Sequence, residues 1–371
     1  VYGGRFVDYE ELHKTLLRFK GILERCMLER CMKKERDEQG ILPSDWYIQK
    51  VTVNPGDNLV VMGDLHGSAH SFIRNLLTLK RDGLLDNKLT LSPRTYLFMT
   101  GDYINRGHHG IECLYIIMKL VLQNADRVYI AKGNHEHSRL MKEWGFSSYE
   151  IPARYANVKN ALITDFEDMV KILPSALCVG KGHDWISVNH GILPIDKMKT
   201  GLEQFLTGEQ NIMFIQGHDK PEIVHDIFYG EYSNIRNNPR NPNATIMTHR
   251  ASKMEHARAF PGDFLRMHCG GNDSYIKAII RGHEHNRFAV STAPGEALDD
   301  KQTFTLNSSP IYTLMSCPDG MATECKEDGF AIISVGHIWP EWTIRALRRS
   351  LPTNRFNKHC RINSDETFYW E

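Results

Sequence analysis

The chain of 371 residues lacks any long hydrophobic run: no window approaches the roughly 18–20 consecutive apolar residues that a membrane-spanning helix needs. No stretch reads as a secretory signal peptide. Net charge is also missing, with 45 lysines and arginines against 45 aspartates and glutamates. That balance removes the electrostatic case for nucleic acid or an anionic membrane as a partner. The eight cysteines, Cys26, Cys31, Cys113, Cys178, Cys269, Cys317, Cys325 and Cys360, contain no Cys-x-x-Cys pair. A thiolate zinc site is thereby excluded, and a chain of this length does not need disulfide staples. The thiols are expected to be reduced and the location cytoplasmic, so any metal must be held by other ligands. No internal repeat and no low-complexity tract is present.

What is there divides the chain unevenly. Over Asp8 to Gln39, apolar residues Leu12, Leu16, Phe19, Leu23, Met27 and Cys31 recur every three or four positions, which predicts a helix. Gly40 and Pro43 end it, so residues 1–45 read as an N-terminal helical segment. It either packs on the core or serves as an appendage that guides partner or substrate. From 46 to 350 the character changes to short apolar runs: Leu59 to Met62, Tyr96 to Met99, Val128 to Ala131, Trp185 to Val188 and Ala278 to Ile280. Helical stretches such as Ser71 to Lys80 and Ile111 to Gln123 lie between several of them, predicting an α/β sheet. Ile311 to Met315, Phe330 to Val335 and Trp342 to Leu347 follow closely as further strands, giving an α+β character to the end of the domain. Residues 196–275 read as an irregular insertion and 351–371 as a tail.

Each of the first five apolar runs ends in a polar motif: Gly63-Asp64-Leu65-His66-Gly67, Gly101-Asp102, Gly133-Asn134-His135, Asn189-His190 and Gly282-His283. In an open α/β sheet, ligands bind beyond the carboxyl ends of strands, so residues far apart in sequence would converge there. A single Gly-Asp-x-His-Gly would say little, because such residues are common in turns. Five in order, each at a strand end, point to metal binding, with Asp64, His66, Asp102, Asn134, His135, His190 and His283 as the donors they supply. Carboxylate, amide and imidazole without thiolate suit manganese, iron or zinc, and two such ions sharing a carboxylate could clamp a phosphate and acidify a water.

The blocks Gly63 to Gly67, Gly101-Asp102-Tyr103-Ile104-Asn105-Arg106-Gly107 and Gly133-Asn134-His135-Glu136 resemble the signatures of the phosphoprotein phosphatase (PPP) family. His190-Gly191 and Arg281-Gly282-His283 are similar to its two later histidine motifs. The resemblance spans 59 to about 345 and implies a metallophosphoesterase-like β-sandwich flanked by helices. It implies a first ion on Asp64 and His66, a second on Asn134, His190 and His283, and Asp102 between them. Phosphoproteins are the implied substrates, attacked directly by a metal-bridging hydroxide. Arg106 would grip phosphate oxygens through its guanidinium fork, and His135 would protonate the leaving oxygen. A second phosphate-binding arginine is expected between His190 and His283; Arg258 is the first choice and Arg250 the next.

Three features depart from the family. Asn105 stands where an aspartate normally pairs with the general-acid histidine; an amide cannot stabilise an imidazolium by charge. The expected result is a lower His135 pKa and relative sparing of phenolate leaving groups, hence phosphotyrosine over phosphoserine. The stretch Tyr312 to Pro318 replaces the family's Ser-Ala-Pro-Asn-Tyr segment, and the interval from His190 to His283 is long. A divergent core with an added N-terminal segment resembles phosphatases that bacterial pathogens deliver into host cells, which would place it in the host cytosol. Two other functions stay open here: a diadenosine-tetraphosphatase-like phosphoesterase and an inactive scaffold. Gly217-His218-Asp219, His108, His109 and His137 read as structural or rim residues.

Overall fold

The computed structural model describes residues 7–30, 46–215, 220–229, 231–233, 246–249, 256–261, 274–285, 288–292, 296–316 and 326–350. The strands begin with β1 (Tyr47–Thr52), β2 (Asn58–Met62), β3 (Thr95–Met99), β4 (Val128–Ile130), β5 (Ala176–Lys181) and β6 (Asp184–Asn189). They continue with β7 (Ile212–Phe214), β8 (Glu231–Ser233), β9 (Ile246–His249), β10 (His256–Pro261) and β11 (Ile276–Arg281). Last come β12 (Val290–Thr292), β13 (Glu296–Ala297), β14 (Thr303–Thr305), β15 (Ile311–Leu314), β16 (Glu327–Ser334) and β17 (Thr343–Ser350). The helices are α1 (Tyr9–Arg30), α2 (Ala69–Arg81), α3 (Gly110–Gln123), α4 (Ser138–Glu143), α5 (Ile151–Arg154), α6 (Lys159–Lys171), α7 (Ile195–Thr207) and α8 (Lys220–Tyr229).

Two mixed sheets form the centre, one ordered β14-β17-β16-β2-β3-β4 and the other β13-β12-β15-β11-β6-β5-β1-β7. Side-chain alternation along a strand decides what each face meets. In β2, Leu59 and Val61 join Val179, Ile186, Ala278 and Leu314 in a core shared by the two sheets, whereas Val60 and Met62 point the other way. That outer face is covered by Phe72 and Leu79 of α2, Ile111, Leu114 and Ile117 of α3, and Leu162 and Phe166 of α6. The outer face of the second sheet packs on Met198, Leu202 and Phe205 of α7 and on Ile223 and Ile227 of α8. The result is a β-sandwich between two helical layers, as the family resemblance implied.

Helix α1 is part of the core. Leu12, Leu16 and Phe19 are fully buried among the side chains of α3 and α6, and Glu11 accepts from Tyr115 Oη and Lys119 Nζ, both at 3.0 Å. His13 Nε2 lies 3.2 Å from Asp165. Burial of one apolar stripe, with charged residues at its margins, is the reason a helix forms here. The stretch expected to be irregular between 196 and 275 instead carries α7, β7, α8 and a three-stranded sheet ordered β8-β10-β9. Its polar composition hid the short strands, whereas α7 carries a helical period in Ile195, Met198, Leu202, Phe205 and Leu206 that the polar residues around it obscured. Among the described residues, no helix is long and apolar enough to cross a membrane.

The topology places the site. β2, β3 and β4 run parallel, as do β6, β11 and β15, and the loops after β2, β3, β4, β6 and β11 meet at one edge of the sandwich.

Candidate metal centre

Close approach of these loops requires glycine. A Cβ on Gly133 would fall on the Asp102 carboxylate, and one on Gly282 would fall on the carboxylate of Asp64. His66, Asp102, Asn105, Arg106 and His283 all have left-handed φ, between 43° and 68°. Non-glycine residues avoid that region, and such strain collects where a site over-determines the backbone. Asp64 is fixed by Gly63, whose N–H donates to Ser316 Oγ at 2.9 Å. The remodelled segment after β15 therefore still buttresses the first motif. Glu136 accepts from the N–H groups of Asp102, Tyr103 and Gly133 at 2.7, 2.8 and 2.9 Å, tying the second and third motifs together.

All six expected metal ligands converge and are buried. One oxygen of Asp102, Oδ2, lies 3.4 Å from His66 Nε2 and 3.1 Å from His190 Nε2, between the two halves of the site. On one side, Asp64 Oδ2 is 3.8 Å from His66 Nε2. On the other, Asn134 Oδ1 is 2.8 Å from His190 Nε2, and His283 Nδ1 is 3.1 Å from the same nitrogen. His285 is a seventh member that the motifs did not single out. Its Nε2 sits 3.2 Å from Asp64 Oδ2 and 3.3 Å from His66 Nε2. The signal was present in His283-Glu284-His285, where two imidazoles one residue apart follow a strand end.

The donor set suits divalent cations. One amide atom of Asn134 lies 3.3 and 3.2 Å from the two Asp102 carboxylate oxygens and 2.8 Å from His190 Nε2; turned as nitrogen it donates to all three, turned as oxygen it can ligate a cation. His190 Nδ1 is buried without a hydrogen-bond partner, and two imidazole pairs face each other nitrogen to nitrogen. Electron-pair donors gathered this closely, with no lysine or arginine bridging them among the described residues, are what a cation would draw together. Three clusters are close enough to share an ion: Asp64, His66 and His285; His66, Asp102 and His135; Asp64, Asp102 and His190. Burial pushes the Asp102 carboxyl up, but His190 and His135 outweigh that and hold it well below the usual range. Burial drives His66 well below its ordinary value. His190 is raised because Asp102 and Asp64 overcome its burial.

His135 lies at the rim of the cluster, its Nε2 4.0 Å from Asp102 Oδ2. Burial, reinforced by Arg106 and His190 against the pull of Asp102, lowers its pKa to about 4. Asn105 reaches it as expected: Nδ2 is 2.9 Å from His135 Nδ1. Arg106 stands beside them with its guanidinium carbon 4.7 Å from the centre of the Trp144 ring, and its charge is felt at both His66 and His135. The phosphate-binding arginine of the later segment is not placed: Arg258 lies on β10, paired with Met247, but its side chain falls outside the described residues, as does Arg250. Gly217-His218-Asp219 also lies outside them. His137 caps α4, accepting from Arg139 N at 3.4 Å, and His109 is 3.6 Å from Glu112.

Comparison with known proteins places the chain in a family. The family model for calcineurin-like phosphoesterases matches residues 58–287. The chain is 35% identical over 100 residues to serine/threonine-protein phosphatase 7 of Arabidopsis thaliana, which covers 27% of this chain and 22% of that protein. It is 27% identical over 151 residues to the catalytic subunit of serine/threonine-protein phosphatase 4 of Candida glabrata, covering 41% and 43%. The matched part is thus less than half of either relative. A protein serine/threonine phosphatase from Saccharomyces cerevisiae shares the fold, with a TM-score of 0.63 at 16% identity over 94% of this chain and 92% of that one.

Proposed function

Since the chain belongs to the calcineurin-like phosphoesterase family, and is on that ground a metal-dependent phosphoesterase, we propose that it is a phosphoprotein phosphatase. The reading is that it hydrolyses phosphomonoesters of tyrosine, serine or threonine by direct attack of water, without a phosphoenzyme. The observation that carries it is the position of Asp102, one oxygen of which lies within 3.4 Å of His66 and 3.1 Å of His190. Asp64, His66 and His285 would hold one divalent cation and Asn134, His190 and His283 a second, with Asp102 between. When bound, the two cations would neutralise phosphate oxygens and acidify a water; manganese, iron and zinc all suit these donors.

The chain's own groups supply the rest. Arg106 presents a guanidinium fork to the equatorial phosphate oxygens. His135 offers its Nε2 proton to the leaving oxygen, from a position next to Asp102. Glu136 keeps the Asp102 and Asn134 loops in register through three backbone N–H groups. The similarity to relatives named serine/threonine-protein phosphatases, over 100 and 151 residues, rather than any property of the site alone, supports phosphoproteins as the substrate class.

The test is turnover of phosphopeptides, p-nitrophenyl phosphate and diadenosine tetraphosphate by the purified protein with added manganese, beside Asp102→Ala. Phosphopeptide hydrolysis that falls by roughly a thousandfold or more in the variant is expected. Diadenosine tetraphosphate as the far better substrate, or unchanged rates in Asp102→Ala, would overturn the proposal.

A further inference from the structure

Trp144 is out of place for a residue with no role in the reaction. Tryptophan is mostly buried in folded proteins, yet 47% of its surface is exposed. It sits at the C-terminal end of α4, its N–H donating to Leu140 O at 3.0 Å. Gly145, at φ 100°, then turns the chain sharply into Phe146. The ring lies against two residues at the rim of the candidate site. The Arg106 guanidinium lies over it at 4.7 Å, and it is tilted by 58° against the His135 imidazole with ring centres 5.6 Å apart.

Those two neighbours have opposite tasks under the phosphatase reading, on which this inference rests. Arg106 faces the phosphate and His135 the leaving oxygen. Whatever is bonded to that oxygen must therefore leave the cluster beside an exposed indole. A phenyl ring attached directly to the oxygen would meet the indole while the phosphate is in place. The single methylene of a phosphoserine would bring peptide backbone there instead, which has no ring to stack.

We propose that Trp144 is a specificity-determining residue that selects aryl phosphates, phosphotyrosine above all, by stacking on the leaving-group ring. Aromatic pairs of this kind are worth about five- to tenfold in affinity. Trp144→Ala should raise KM for a phosphotyrosine peptide by roughly that factor, and by less than about twofold for a phosphoserine peptide of the same sequence. Trp144→Phe keeps a ring and should restore most of the difference. Equal increases on both peptides would mean that the indole merely holds Arg106 and would overturn the proposal, as would no change on either. Calorimetric binding of a peptide bearing phosphonomethylphenylalanine, a mimic that cannot be hydrolysed, gives a second readout. Its affinity should fall five- to tenfold in Trp144→Ala, and an unchanged affinity would overturn the proposal. If the wild type hydrolysed neither phosphopeptide, the phosphatase reading would fail, and the binding comparison would still decide the role of Trp144.

Discussion

Asn105 donates from its Nδ2 to Nδ1 of His135 at 2.9 Å, and the amide cannot turn round. Its Nδ2 also donates to Leu140 O at 3.0 Å, and its Oδ1 accepts from Phe146 N at 3.1 Å. Nδ1 of the imidazole is thereby made an acceptor, and the neutral ring carries its proton on Nε2. Protonating Nδ1 would set an N–H against an N–H. The amide thus acts in the same direction as the burial that lowers His135 to about 4. Nε2–H stays available as a hydrogen-bond donor to the leaving oxygen, while the imidazolium, the stronger acid, is disfavoured at neutral pH.

Asn105→Asp reverses that preference. A carboxylate would accept from Nδ1–H and stabilise the imidazolium. Turnover of phosphoserine peptide relative to phosphotyrosine peptide should rise by about tenfold, the scale of one pKa unit. The new carboxylate would also face Leu140 O without a proton between them, so a loss of about 1 kcal/mol in stability should accompany the change. Matched peptides and urea denaturation measure the two effects; an unaltered ratio would show that Asn105 does not govern the acid.

His285 makes a second prediction. Because its Nε2 lies within 3.3 Å of both Asp64 and His66, His285→Ala should weaken binding of one of the two cations by roughly 10- to 100-fold. The second should be little affected. Titration with manganese, followed by metal analysis after dialysis, distinguishes this from loss of both or of neither.

Phe19 tests whether α1 belongs to the fold. Its side chain is fully buried with Leu12 and Leu16, so Phe19→Ala should cost about 3–5 kcal/mol. A change below about 1 kcal/mol in urea unfolding would mean that α1 does not share the cooperative core.

Glu150 predicts a dependence on pH. Arg154 stands between two carboxylates and bonds Glu112 at 2.5 Å while remaining 3.8 Å from Glu150. Burial works against both acids. The bonds from His109 and Arg154 nevertheless bring Glu112 down to about 2, whereas burial raises Glu150 to about 7. Glu150 thus binds its proton more tightly folded than unfolded. Its contribution is fully present below the unfolded value of about 4.5 and is lost as pH rises through 7. Relative to Glu150→Gln, the wild type should lose on the order of 2 kcal/mol between pH 5 and pH 8. Parallel urea midpoints at the two pH values would contradict this.

Most of the site could be read along the chain, because each ligand follows an apolar run and a glycine, and that local pattern dictates a strand end with a tight turn. The rule that strand ends gather at one edge supplied Asp64, His66, Asp102, Asn134, His135, His190 and His283, and the resemblance to the phosphoprotein phosphatase signatures chose the six metal ligands among them. Periods of 2 and 3.6, written in consecutive residues, reached an α/β sheet with helices, and the sandwich was implied by the family resemblance. Periodicity failed for 196–275, where the strands are too short to show a period and the helical period of Met198, Leu202 and Phe205 in α7 was passed over. Also passed over were His285, although His283-Glu284-His285 carried a signal, and Trp144, which only the fold sets beside Arg106 and His135. The direction of the Asn105 amide depends on Leu140 and Phe146, 35 and 41 residues further on. Polarity between side chains is set by whichever elements pack together, so folding alone decided which way that amide faces and which acid Arg154 neutralises.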